Sequence, residues 1–335
     1  MRHDESSPLV APDRDAKQLY YIGIDLGGTN TAYGVVCKDG KIIIRGSVPT
    51  RGHSDAEAFA DALTAAIERD LRQAGISENI RAIGIGAPCA NSATGCMEGF
   101  TEIDWESPVP LQRLVEQRMH RPVRITNDAN AAAAGEMAFG AARGIRNFIE
   151  ITLGTGVGAG IVVDGRLLNG SRGFAGELGH VTMGGDRMCG CGRKGCLQMY
   201  CNSEGIVRTA REILASDPAL PSPLRHIIDR ITPRDIFEAA LTGDQVAIRT
   251  FGSVGRHLGE ACANFAAYTD PEAIILFGGI AGAGDFIIDP MREAMERNIL
   301  HLYRGRIRIL TSSLPGSDAP ILGAAGLWAA GQQSS

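Results

Sequence analysis

The chain has 335 residues, 44% hydrophobic and 21% charged, with 33 basic against 38 acidic side chains and a formal charge of −5. This length suits one large core or two ordinary ones, and two domains are expected. The mild acidity without a basic run speaks against nucleic acid or an anionic membrane as main partner, and aromatic residues at 5% supply few stacking platforms for single strands. A small polar or anionic ligand is the expectation. No run approaches ~18 apolar residues, and Met1 to Tyr20 lacks the apolar core of a signal peptide, so the chain reads as cytoplasmic. The 43 glycines are nearly twice the roughly 7% of ordinary chains, and they fall beside apolar strands.

Residues 1–19 read as a disordered leader. Tyr20 to Asp25 then reads as a buried strand ending in the turn Leu26-Gly27-Gly28-Thr29-Asn30, with strands at Thr31 to Cys37 and Lys41 to Ser47 joined by the hairpin signal Asp39-Gly40. Phe59, Leu63, Ile67 and Leu71, spaced by four, predict a helix over 55–74 with Ser54 as N-cap. Ile80 to Ile85 and Val123 to Ile125 read as strands, and Asn130 to Gly140 as an alanine-rich helix. Asn147 to Leu153 and Gly158 to Val163 form a second strand pair around a glycine turn, followed by another Asp-Gly signal at Asp164-Gly165. A strand, a glycine turn, a strand and an Asp-Gly turn thus occur twice, which predicts two related α/β lobes with a cleft between them. The small lobe is expected over 20–126, with 312–335 returning to it as a C-terminal helix opened by Pro320, and the large lobe over 127–311. Val246 to Tyr268 and Ile288 to Ile299 read as helices flanking the buried strand Ala273 to Phe277.

Three glycine turns can approach a ligand. Asp25 followed by Gly27, Gly28, Thr29 and Asn30 sets a carboxylate beside backbone N–H groups, a pattern that can hold Mg²⁺ and a phosphate, although a tight hairpin turn would look the same. Gly154, Thr155, Gly156 and Gly158 fill the matching place in the second lobe, with more glycine than a hairpin needs. Two such loops facing one cleft favour a triphosphate. Gly278 and Gly279 end a strand where a nucleoside could lie on bare backbone, with a plain helix start as the alternative. None of these is a P-loop or a dinucleotide fingerprint.

Cys189, Cys191 and Cys196 put three thiols within eight residues on a glycine-rich loop, a spacing that can wrap a structural Zn²⁺ with His180 as the fourth ligand and Cys201 as a competitor. Cys37, Cys89, Cys96 and Cys262 stand in apolar contexts and read as packing or unpaired residues. Asp128 precedes the alanine-rich helix and reads most simply as its N-cap, yet it also falls at the lobe junction, where a general base belongs. Glu177 and His180, three apart, share one face of a helical turn, so that one imidazole nitrogen could bind zinc and the other a ligand.

Asp25 to Asn30, Asn127-Asp128, Gly154-Thr155-Gly156, Glu177-Leu178-Gly179-His180 and Cys189 to Cys196 stand in the order and near the spacing of the repressor, open-reading-frame and kinase (ROK) family. The resemblance runs from about Tyr20 to Trp328, and within the family it is nearest to the bacterial glucokinases. It implies an actin-like ATPase (ribonuclease H-like) fold of duplicated α/β domains with a central ligand cleft, ATP and Mg²⁺ across the phosphate loops, and a homodimer or homotetramer. Asp128 would deprotonate the 6-hydroxyl of a hexose, most simply glucose, with Asn127, Glu177 and His180 holding ring hydroxyls and Asn91, Glu102 and Gln198 completing the sugar contacts. Two positions depart from the pattern. Gln198 stands where the family usually has Glu, and Glu102 where an Asn would touch the sugar. Another hexose or an N-acylhexosamine (mannose, fructose, N-acetylmannosamine) is therefore the alternative substrate, and a sugar-binding, non-catalytic regulator the alternative function.

Overall fold

The computed structural model describes residues 19–99, 103 and 105–330. The expected disordered leader, but for Leu19, and Glu102 lie outside the described residues. In the first half, β1 (Tyr20–Leu26), β2 (Asn30–Cys37) and β3 (Ile42–Pro49) form an antiparallel meander, followed by α1 (Ala56–Ala74) and β4 (Ile80–Gly86). The short pair β5 (Ala90–Asn91) and β6 (Cys96–Met97), α2 (Leu111–Met119) and β7 (Val123–Thr126) come next. Then α3 (Asp128–Phe139) leads to a second meander, β8 (Phe148–Leu153), β9 (Val157–Val163) and β10 (Arg166–Leu167). A helical region follows, with α4 (Gln198–Cys201), α5 (Ser203–Ser216), α6 (Pro233–Leu241) and α7 (Gln245–Thr269). The chain ends through β11 (Ala273–Phe277), α8 (Asp285–Asn298), β12 (Arg308–Thr311) and α9 (Ala319–Ala329).

Two five-stranded sheets among the described residues share one plan: β3-β2-β1-β4-β7 and β10-β9-β8-β11-β12. In each, the meander is antiparallel and the last two strands run parallel to its first strand. This is the repeat the sequence announced. Turns at Asp39-Gly40 and Asp164-Gly165 close the hairpins in matching places, with φ +89° at Gly40 and +74° at Gly165. Parallel strands buried on both faces demand continuous apolar runs, and Ile22, Ile24, Ile83, Ile85, Ile149, Ile151, Ile274 and Ile275 are all fully buried. α9 packs against β1, β4 and α3, so the last described helix returns to the first sheet and to the helix that follows Asp128.

Helix starts reveal which polar residues are already committed. The N-cap of α1 is Asp55, not Ser54: its Oδ1 accepts the Ala58 N–H at 2.8 Å, while Ser54 donates to the other carboxylate oxygen at 2.9 Å. Ser54 therefore steadies the cap at second hand. The N-cap of α3 is Asn127, whose Oδ1 accepts the Asn130 N–H at 2.8 Å. Asp128 thus belongs to the first helical turn, and its carboxylate is not the cap.

Candidate active site

β1 and the turn after β7 bring Asp25 and Asp128 to the lining of one cavity of about 460 Å³, together with Gly86, Thr152, Gly154, Thr155, Gly156, Gly158 and Gln198. Asp128 is reachable from the open cleft although protein surrounds it on its other sides. Burial, and then the nearby charge of Asp25, pushes its carboxyl up to about 6, while burial also raises Asp25. A carboxylate poised near neutrality and still accessible is suited to accept a proton.

The two phosphate-loop candidates differ in placement. Gly27, Gly28, Thr29 and Asn30 do not line the cavity; of that motif only Asp25 does. Gly154, Thr155, Gly156 and Gly158 all do. Gly154 also lines a second cavity of about 440 Å³, with Gly279, Gly282, Ser203, Thr232, Arg234 and Phe237. The two cavities therefore adjoin. Gly278 has φ +94°, and a Cβ there would meet the Leu153 carbonyl oxygen at 2.3 Å, so glycine is required for β11 to end against β8. Ser203, Thr232, Arg234, Phe237 and Thr152 were missed in the sequence. The Thr232 to Asp235 capping box at the start of α6 was a readable signal for the helix, although not for its position beside a cavity.

His180, Cys189, Cys191 and Cys196 offer one ligand atom each, all within 4.8 Å of one another. The Cys191 and Cys196 sulfurs lie 3.6 Å apart, and Cys189 Sγ lies 3.7 Å from His180 Nδ1. Zn–S bonds of about 2.3 Å in a tetrahedron place sulfurs about 3.8 Å apart, so the group fits zinc. Cys201 is excluded from the group, being buried at 3.8 Å from the Val254 carbonyl oxygen. Cys89 also departs from the apolar setting expected of it. It is exposed, adopts φ +53°, and feels the charges of Asp128 and Glu177.

Of the remaining sugar candidates Gln198 lines the cavity, whereas Asn91, Asn127, Glu177 and His180 do not. His180 keeps Nε2 turned to Glu177 Oε2 at 3.9 Å while Nδ1 lies 3.7 Å from Cys189 Sγ. A Cβ on Gly179 would sit 2.0 Å from the Val157 carbonyl oxygen, so the Glu177–His180 turn lies flat on β9 only because of that glycine. Gln198 lines the cleft and its Nε2 donates to Cys189 Sγ at 3.0 Å, which ties the cleft lining to the metal group. Asn91 is buried and engaged: its Oδ1 accepts the Ala93 N–H at 2.9 Å and its Nδ2 donates to Glu98 at 2.9 Å. Asn127 spends its oxygen on the α3 cap and keeps its amide hydrogens.

Duplicated sheets, two carboxylates and a glycine turn on a shared cleft define the actin-like ATPase class of phosphotransferase, and comparison with known proteins agrees. The sequence model of the ROK family matches residues 21–331. A glucokinase of Streptomyces coelicolor is 36% identical over 312 residues, covering 91% of this chain and 96% of that protein. Among solved structures, a ROK family glucokinase from Streptomyces griseus in complex with glucose and AMPPNP superposes with a TM-score of 0.72 at 36% identity, covering 92% of this chain and 98% of the other. A ROK hexokinase from Thermus thermophilus gives 0.75 at 32%, covering 92% and 97%. The chain belongs to the ROK family and is a sugar kinase of the actin-like ATPase fold.

Proposed function

We propose that the protein transfers the γ-phosphoryl group of ATP to the 6-hydroxyl of glucose. The observation that carries this is Asp128, accessible, raised to about 6, and lining a cavity that adjoins a second one at Gly154. The first cavity suits a hexose and the terminal phosphates, the second a nucleoside. Asp128 accepts the proton of the 6-hydroxyl as the oxygen attacks the γ-phosphorus, the bond to the β,γ-bridging oxygen breaks, and ADP leaves. Mg²⁺, held by Asp25 directly or through water, would offset charge on the phosphates. Gly154, Thr155 and Gly156 meet the phosphates with backbone, and Gly279 borders the nucleoside, whereas Gly278, which lines neither cavity, packs the end of β11 against Leu153. The likeness to a glucokinase solved with glucose and AMPPNP supports both substrates.

Glu177, His180 Nε2, the amide of Asn127 and the carbonyl oxygen of Gln198 hold ring hydroxyls. His180, Cys189, Cys191 and Cys196 would hold a zinc ion as a closed four-ligand set with no position for an activated water, and the ion would serve to fix the turn that carries Glu177 and His180. Glu102 is read as a further sugar contact that compensates for the amide at Gln198, and we read the active form as a homodimer or homotetramer in the cytoplasm. The test is a coupled ADP assay over glucose, mannose, glucosamine, fructose and N-acetylmannosamine. Glucose should give the highest kcat/KM. ADP formation with none of them would overturn the catalytic reading, and a strong preference for another would overturn the substrate.

A further inference from the structure

A third cavity, of about 550 Å³, shares no lining residue with either cleft cavity. It lies between the two sheets, with β7 contributing Arg124 and Thr126, the β10 hairpin contributing Arg166 and Asn169, and α3 and α9 contributing Met137 and Leu327. Among the described residues no carboxylate lines it.

Arg124 is held in place without an acidic partner among the described residues. Its guanidinium lies 4.0 Å over the Trp328 ring, and Nη1 donates to the Leu327 carbonyl at 2.8 Å, while the Trp328 indole N–H is itself fixed on the Ile83 carbonyl at 2.8 Å. Nε and Nη2 of Arg124 make no hydrogen bond with any described residue. The Arg166 side chain makes no hydrogen bond or ion pair with any described residue. Asn169 Oδ1 is buried with no donor to satisfy it. Both arginines are exposed on the wall of this cavity, so their guanidiniums can exchange water for an anion, best a phosphoryl group, while the orphan carbonyl oxygen calls for a hydroxyl or N–H donor on the same ligand.

We infer that this cavity binds a small hydroxylated phosphate monoester, the chemical class of a sugar phosphate, with the phosphoryl group taken by Arg124 and Arg166 and a hydroxyl donated to Asn169. The site is separate from catalysis. Its position is consequential because Arg124 belongs to the first sheet and Arg166 to the second, so the ligand bridges both. Arg124 and Thr126 also lie on the strand that runs directly into Asn127-Asp128, so what the cavity binds bears on the catalytic turn.

Isothermal titration at constant ionic strength tests this on the full chain with its cleft saturated by glucose and AMPPNP. Glucose 6-phosphate and inorganic phosphate are the two probes. Glucose 6-phosphate should bind with one site per chain despite the filled cleft, and inorganic phosphate should bind several-fold more weakly because it leaves Asn169 unsatisfied. Arg124→Gln and Arg166→Gln should each weaken both probes at least tenfold, whereas Asn169→Ala should weaken only glucose 6-phosphate. Unchanged melting temperature and unchanged glucose turnover without probe would establish that the variants are folded. Loss of all binding once the cleft is filled, or wild-type affinity in Arg166→Gln, would overturn the inference. The arginine variants decide it even if the cleft prefers another sugar.

Discussion

Gly27 and Gly28, at the end of β1, give their carbonyls to Thr50 Oγ1 at 2.7 Å and Arg51 Nε at 3.0 Å, and Gly27 N–H closes on the Asn30 carbonyl at 3.2 Å. Gly154, Thr155 and Gly156, at the end of β8, line the cleft, braced from behind by Ser203 Oγ on the Gly154 carbonyl at 3.0 Å and by Asn202 Nδ2 on the Thr155 carbonyl at 3.0 Å. The two turns hold equivalent places in sheets of the same strand order. Duplicated topology therefore sets where a turn falls, while the neighbouring side chains set whether its backbone faces a ligand. Strands of the first sheet lead to the carboxylates, Asp25 on β1 and Asp128 in the first turn of α3 after β7, and the turn of the second sheet lines the cleft with main chain.

The largest effect should come from the carboxylate side. Asp128→Asn is expected to lower kcat by about 10²–10⁴-fold while glucose affinity, read by titration, stays nearly unchanged. Next comes the metal group. Removing the proposed zinc with a chelator should weaken glucose binding at least ~10-fold and leave AMPPNP binding little altered, since the second-sheet turn is braced by Ser203 and Asn202 and not by the thiols. Metal analysis before and after treatment checks occupancy, and equal loss of both ligands would show that the two halves of the cleft are not independent.

The turns themselves can be set against each other. Thr50→Val removes the donor to Gly27 and the bond to Thr31 Oγ1 at 2.8 Å, which should cost about 1–3 kcal/mol in denaturant unfolding with little change in KM for ATP. Gly156→Ala places a methyl 3.6 Å from Gln198 Oε1, an ordinary contact that should spare stability but raise KM for ATP several-fold. The reverse pattern would reverse the assignment of the two turns. The smallest effect is expected at Gln198. Gln198→Glu replaces the amide N–H at Cys189 with a second negative group, so zinc release to a chelator should quicken a few-fold. Pairing it with Glu102→Asn should improve glucose use, and strict additivity of the two changes in kcat/KM would separate Glu102 from the sugar pocket.

Strands were the legible part of the fold. Ile22-Gly23-Ile24 and Ala273 to Phe277 are apolar runs bounded by turn residues, and the strands fall within a few residues of the expected ends. α2, α5 and α6 were less legible, although Ile206, Ala210 and Leu214 on α5 are spaced by four and buried. The metal group was legible because its three thiols are local in sequence. The choice between Asn127 and Asp128 as cap was not, since both are good caps and only the backbone decides. Gln198 on Cys189, Thr232 beside Gly279 and the Arg124–Arg166 cavity depend on pairings across the fold that no local spacing encodes.

The central claim is that Asp128 is the base for sugar phosphorylation, and the pH dependence of kcat/KM for glucose tests it most directly. The base works ionised, and burial with Asp25 holds its carboxyl near 6, so kcat/KM should rise with pH, level off above about 6, and fall about tenfold per unit below it. In Asp128→Asn that limb should vanish from whatever activity remains. A profile that stays flat down to pH 5, or a limb of the same apparent pKa in Asp128→Asn, would contradict the account.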